Sequence, residues 1–176
     1  MIATVAKEQR DEAHELRELY EGQLRELYWS ERTMVPMLSD VSGNVYSADL
    51  LDVINNVMQK TVMQAGRLEQ LFFIAGIEAE TTKSEAVECL LKESDRLMIQ
   101  TRRGVVRDAG VISVLQKIKH YEIACYGTMR AYAKALREED AVTILEETLE
   151  EEKQLDLALS AIAESHINIE AADKEI

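Results

Sequence analysis

The stretch VISVLQKIKHYEIACYGTMRAYA, residues 111–133, decides how this chain folds. Val111, Leu115, Ile118, Cys125, Tyr126, Met129 and Ala133 recur every three or four positions, the period of one face of a helix. In the middle of that face stands Glu122, where a leucine is expected. A long helix that turns a carboxylate toward its apolar side belongs in a bundle. The bundle must protonate that group, pair it with a cation, or give it a metal.

Working outward, the same pattern appears on two further helices. Leu16, Tyr20, Leu24, Leu27, Met34, Val35 and Leu38 fall within about 60° of the direction of Glu31 at 3.6 residues per turn. Ile144, Thr148, Leu155, Leu159 and Ile162 form a stripe whose middle is Glu151. Glu147 and Glu152 flank that stripe, and a small rotation brings Glu152 inward beside Glu151. A second helix carries Leu50, Ile54, Val57, Met58, Ala65, Leu68 and Phe72, with Thr61 and no carboxylate at its centre.

Breaks between these stripes set the topology. Pro36 is expected to loosen the first helix, and Ser42-Gly43-Asn44 to end it. The second helix runs from Ser47 as N-cap to Gly76. Residues 76–83 read as a loop, and Thr82 with Glu85 as the capping box of a shorter helix carrying Val87, Leu90, Leu91, Leu97 and Met98. The third long helix is expected from Asp108 to Leu136, and the fourth after Glu138-Glu139-Asp140. Each pair of long helices joined by a short turn makes an antiparallel hairpin. The segment between the pairs is long enough to carry the chain from one end to the other. The expected fold is all-α: a ferritin-like four-helix bundle with a long crossover carrying a short extra helix. One domain spans 1–176, with the bundle at about 10–166 and short terminal tails.

Composition removes several function classes. The formal net charge of -13 repels nucleic acid and anionic membrane surfaces alike. Cys89 and Cys125 form no zinc or disulfide pattern and read as reduced thiols. No apolar run reaches membrane-spanning length and the N-terminus has no secretory apolar core, so a cytoplasmic protein is expected. No phosphate-binding glycine loop and no nucleophile motif occurs.

Carboxylates bridging helices hold iron or manganese in such bundles, normally with an ExxH pair on two helices. This chain has no ExxH. The candidate metal ligands are Glu31, Glu122, Glu151 and Glu152, with Glu147 and His120 behind them. His120 precedes Glu122 by two residues and points away from the stripe. Lys60 is about 100° from Thr61 on the second helix, placing its ammonium within reach of the acidic cluster as a charge-compensating group or sending it to solvent. A carboxylate-only site would hold a hard divalent ion weakly and unselectively.

Leu27-Tyr28-Trp29-Ser30-Glu31, Arg67-Leu68-Glu69-Gln70, His120-Tyr121-Glu122-Ile123-Ala124 with Tyr126-Gly127, and Glu147 to Lys153 occur in that order along the chain. Together they resemble the successive motifs of the YciE/YciF-like proteins, bacterial ferritin-superfamily proteins linked to stress responses. The similarity runs from about Leu16 to Ala172 and includes the tail from Ala163 to Asn168. It implies a ferritin-like bundle, often a homodimer, with a dinuclear metal site and no established reaction. The second helix departs from the family pattern. Where relatives carry His-x-x-Glu-Thr with a further Glu just before that Glu, this chain has Val57, Met58, Gln59, Lys60 and Thr61. Acidic positions carry over to Glu31, Glu122 and Glu151 but not to the second helix. The expected function is therefore a non-catalytic or weakly metal-binding dimeric scaffold in a stress context. The alternative is a di-iron or di-manganese oxidoreductase acting on peroxide or oxygen. A dimer is expected to cover surplus apolar surface around Leu90, Leu91, Leu97 and Met98.

Overall fold

A computed structural model of the chain describes residues 15–173. Five long helices appear in order: α1 (Leu16–Ser42), α2 (Ala48–Ala75), α3 (Glu85–Gln100), α4 (Val105–Ala135) and α5 (Glu139–Ile162). A π turn at Ala163–Ile167 leads into the short α6 (Asn168–Asp173). No strand occurs among the described residues. The expected beginning of the bundle near residue 10 and the outermost tails lie outside them.

The four longest helices form a ring in which α1 packs on α2, α2 on α5, α5 on α4 and α4 on α1. Arg17, near the start of α1, pairs with Glu138 just before α5, so α4 ends where α1 begins. At the opposite end, Asp108 in the first turn of α4 reaches the start of α2. Helices α2 and α4 therefore run parallel, and the chain crosses the length of the bundle between them through α3. This is the two-hairpin, one-crossover arrangement.

Local chemistry places the ends. Ser47 accepts a hydrogen bond from the Leu50 amide and starts α2, as expected of an N-cap. Gly76 ends it with φ 72°, a left-handed conformation that glycine adopts without steric cost. Pro36 is accommodated inside α1, which continues to Ser42. Two boundaries differ from expectation. The N-cap of α3 is Ser84 rather than Thr82, because the Ser84 hydroxyl accepts from Val87. Helix α4 starts three residues early, at Val105 after Gly104, and Asp108 turns its side chain to the segment before α2. Its buried carboxylate accepts from the amides of Tyr46 at 2.9 Å and Ser47 at 2.7 Å. Beside it, Arg107 donates to the carbonyls of Met98 and Thr101 at the end of α3. One turn of α4 thus holds backbone groups at the approach to α2 and at the end of α3.

The core divides into two apolar regions. One holds Met34, Leu38, Ile54, Leu115, Ile118 and Leu159; the other holds Tyr20, Leu24, Phe72, Tyr126, Met129 and Leu145. Between them, every helix of the ring contributes buried polar residues: Glu31 from α1, Thr61 and Gln64 from α2, Lys119 and Glu122 from α4, Thr148 and Glu152 from α5. The interior is a sandwich of two oily layers around one polar layer. The crossover residues Leu90, Leu91, Leu97 and Met98 are half-buried against the first apolar region.

Candidate functional site

The polar layer is built from adjacent turns of four helices, and its centre is an ammonium. Lys119 Nζ lies 2.5 Å from Glu122 Oε2, one turn along α4, and 2.7 Å from Glu152 Oε2 on α5. Lys119 is only 1% exposed, and both carboxylates are fully buried. Gln64 donates to the other oxygen of Glu152 at 2.7 Å. Tyr126 donates its hydroxyl to Glu31 Oε1 at 2.6 Å. Glu31 and Glu122 are also within hydrogen-bonding reach of each other, as are Glu122 and Glu152.

Three carboxyl groups share this space with one cation, and the balance is met by protons. Burial, followed by the charge of Glu152, pushes Glu31 from 4.5 up to about 8, against the opposing pull of Lys119, Tyr126 and Glu122. Burial and the charges of Glu152 and Glu31 likewise hold Glu122 well above the usual carboxylate range, with Lys119 opposing. For Lys119, burial disfavours the ammonium, but Glu122, Glu152 and Glu31 outweigh it and the amine stays charged. Tyr126 is pushed well up, first by burial and then by Glu31. Glu31 Oε2 and both Glu122 oxygens otherwise lack a hydrogen bond of good geometry. A proton on each of these acids supplies one, since only the protonated carboxyl donates.

Of the residues singled out in the sequence, Glu31 and Glu122 meet in this layer, and Glu152 meets them. Glu151 does not, which corrects the placement of the α5 stripe. The buried line on α5 runs Ala141, Leu145, Thr148, Glu152, Leu155 and Leu159. It shares Thr148, Leu155 and Leu159 with the expected line, but Ala141 and Leu145 turn the centre by one residue. Glu151 lies at the α2–α5 edge, where Lys60 Nζ reaches it at 2.7 Å and Arg67 Nη1 at 2.6 Å. Arg67 also holds Glu147, itself 61% exposed. Lys60 is thus a charge-compensating residue at the edge, while Lys119 takes that part in the interior. His120 is 68% exposed and faces Asp156 at 3.6 Å, remote from the buried layer.

The sequence reading missed Lys119 and Gln64, and it placed Tyr126 on the α4 stripe without giving it a polar role. A signal existed for all three, since each occupies a strict seven-residue line of buried positions: Val105, Ile112, Lys119, Tyr126 and Ala133 on α4, and Leu50, Val57, Gln64 and Leu71 on α2. Cys125, partly buried beside this layer, is raised by burial and carries a free thiol.

The layer does not suit a pair of divalent ions. No histidine reaches it, α2 offers an amide and a hydroxyl in place of carboxylates, and an ammonium stands between two of the three acids. Among the described residues, no group of three or more His, Cys, Asp or Glu has the arrangement of a metal site. What the layer can do chemically is hold protons and lock the register of four helices.

Comparison with known proteins agrees with this architecture. Protein YciF of Escherichia coli (strain K12) is 31% identical over 152 residues, covering 86% of this chain and 92% of that protein. The crystal structure of the E. coli stress protein YciF superposes with a TM-score of 0.84 at 29% identity, covering 89% of this chain and 99% of that one. YcfI from Rhodopseudomonas palustris, described as a candidate structural protein, gives 0.83 at 30% identity over 86% of this chain and 96% of its own. A Xanthomonas campestris protein at 18% identity shares the fold, with a TM-score of 0.74 over 92% of this chain and 99% of its own. Residues 15–172 match the family model described as Domain of unknown function (DUF892), and with these relatives the chain belongs to that YciF-containing family.

Proposed function

We propose that this chain is a non-catalytic, ferritin-like structural protein of the YciF type, acting as a dimeric scaffold under stress in the cytoplasm. The observation that carries this reading is the position of Lys119 Nζ, 2.5 Å from Glu122 and 2.7 Å from Glu152. An ammonium there meets the charge demand that a metal would otherwise meet. An incoming divalent ion would have to displace it or take its proton. The stress context comes from the relative described as a stress protein. Among the described residues no helix is long and apolar enough to cross a membrane, which fits the location proposed.

Support for the dimer lies on the outer face of α2, which packs mainly on α1 and α5. Gln59, Val62, Met63, Gly66, Gln70 and Phe73 make a stripe without a single charge, in a chain of net charge -13. Val62 is 56% exposed and Phe73 87%. Two copies meeting along this stripe would bring uncharged residues together at its centre, which limits the like-charge repulsion between them.

The discriminating experiment is metal content per chain in protein purified from iron- and manganese-supplemented cells, with an absorbance spectrum. The scaffold reading expects a folded protein with well under one metal per chain, and higher content in Lys119→Glu. About two metals per chain with oxo-bridge bands in the wild type would favour the alternative, a di-iron or di-manganese oxidoreductase, and end this one.

A further inference from the structure

We infer that the groove between α2 and α5 is a docking site for a cationic amphipathic helix of a partner protein. The groove encloses about 640 Å³ and is lined by Asn56 and Lys60 of α2 and by α5 from Thr143 to Ala158. Its floor includes Leu155 and Ala158, and its rim includes Glu146, Glu147, Glu150 and Glu151. At 1.5 Å per residue the α5 wall is about 22 Å long, the length of roughly four helical turns. The rim glutamates fall on successive turns of α5, at the spacing that lysines or arginines present when they recur at i and i+4 on a facing helix.

Charge favours a basic occupant. Four glutamates line the groove and one cation, Lys60, does so. Lys60 is already committed to Glu151 at 2.7 Å. Arg67 is shared between Glu151 and Glu147. Arg130 and Lys153 are not part of the lining and meet Glu146 and Glu150 in exposed pairs, at 2.8 and 3.6 Å, of the kind that contributes little. A helix with leucines toward Leu155 and Ala158 and lysines toward the rim would satisfy both surfaces. The long-range field of a chain at -13 would speed its approach. This inference deepens the scaffold reading by giving it a partner, and the two fail separately. Metal content decides that reading, and peptide binding decides this one.

The test is fluorescence anisotropy of a labelled, helix-forming leucine–lysine peptide, about 16 residues long to match the groove, titrated with the full chain at about 0.15 M salt. Saturable binding is expected, with none for the matching leucine–glutamate peptide. Glu146→Lys with Glu150→Lys should weaken binding about tenfold or more. Glu78→Lys with Glu80→Lys makes the same charge change in the loop after α2 and should weaken it less than about twofold. Gln154→Trp, which fills the groove without changing charge, should also abolish binding; circular dichroism confirms that each variant is folded. Equal weakening by both charge-reversed pairs, undiminished binding to Gln154→Trp, or displacement by spermine as effectively as by unlabelled peptide would overturn the proposal. So would loss of self-association in Gln154→Trp, since a second copy would then be the occupant.

Discussion

Lys119 on α4 and Glu152 on α5 meet at 2.7 Å in the middle of the bundle, neither of them reached by solvent. Such a pair contributes little beyond an apolar pair of the same shape, because desolvation offsets most of its attraction. Removing one partner is different, since the other charge is then buried without compensation. Lys119→Met should therefore cost on the order of 3–5 kcal/mol in urea unfolding. Adding Glu152→Gln to that variant should restore more than half of the loss. A double variant as unstable as the single one would show that the deficit comes from packing and not from charge.

The same layer makes stability depend on pH. Glu31 titrates near 4.5 when unfolded and, raised by burial and by Glu152, at about 8 when folded. Between those values the folded state binds more protons, so its contribution is full below pH 4.5, declines through the window and is gone above about 8. Glu122, also raised, acts in the same direction. Glu151 and Glu88 are lowered, so what they add is complete above 4.5 and constant across the window. The urea midpoint of the wild type should fall between about pH 5.5 and 8.5, and that of Glu31→Gln should fall distinctly less. Parallel declines would place the buried proton elsewhere.

Much of this layer was legible before any coordinates, and the limit has a physical cause. A helical period of 3.6 locates a face to within about one residue on either side. That resolution found Glu31 and Glu122, whose neighbours one turn away on both sides are apolar. It could not separate Glu151 from Glu152, which are 100° apart and share three of the same flanking residues. Ala141 and Leu145 decide between them, because both are buried in the second apolar region with Met129 and Ala133 of α4 and so turn α5 by one residue. Lys119 was passed over because lysine is rarely buried unless paired. Its partner Glu152 is thirty-three residues away. The junctions at Ser47 and Gly76 were legible because cap chemistry is local, whereas the start of α4 was not, because Asp108 faces the segment before α2.

Asp108 supports the turn before α2 from 61 residues away, holding two backbone amides with one buried carboxylate. Asp108→Ala would orphan both, and each buried unsatisfied group costs about 1–3 kcal/mol. The loss should exceed that of Ser47→Ala, a single N-cap bond contributing about 1 kcal/mol. Hydrogen exchange should quicken first at Tyr46 and Ser47. Exchange unchanged there would mean that other groups hold the turn.

Two helical glycines should respond in opposite directions to alanine. At Gly22 an added Cβ meets nothing within 4 Å, so only backbone entropy changes and Gly22→Ala should stabilise by about 0.5–1 kcal/mol. At Gly110 the Cβ would come within 2.5 Å of Leu97 Cδ1, where α3 lies on α4. The leucine tip must leave its present packing to make room, and Gly110→Ala should lose about 1 kcal/mol or more. Thermal denaturation of the two variants side by side is sufficient. A gain at Gly110 would show that α3 rests loosely on the bundle.

Phe73 is 87% exposed near the end of α2, one helical turn before the bundle gives way to the crossover. A large ring left in water is a cost unless something covers it, and the neighbouring Val62, Met63 and Gly66 extend the same uncharged stripe down the helix. If a second copy covers the stripe around a twofold axis, each substitution enters the interface twice. Phe73→Lys with Val62→Lys would bring four ammonium groups into it. Sedimentation should then show the wild type as a dimer and the variant as a monomer at the same concentration. Circular dichroism should remain unchanged, because both residues face outward. A variant that stays dimeric would move the self-association surface off α2 altogether.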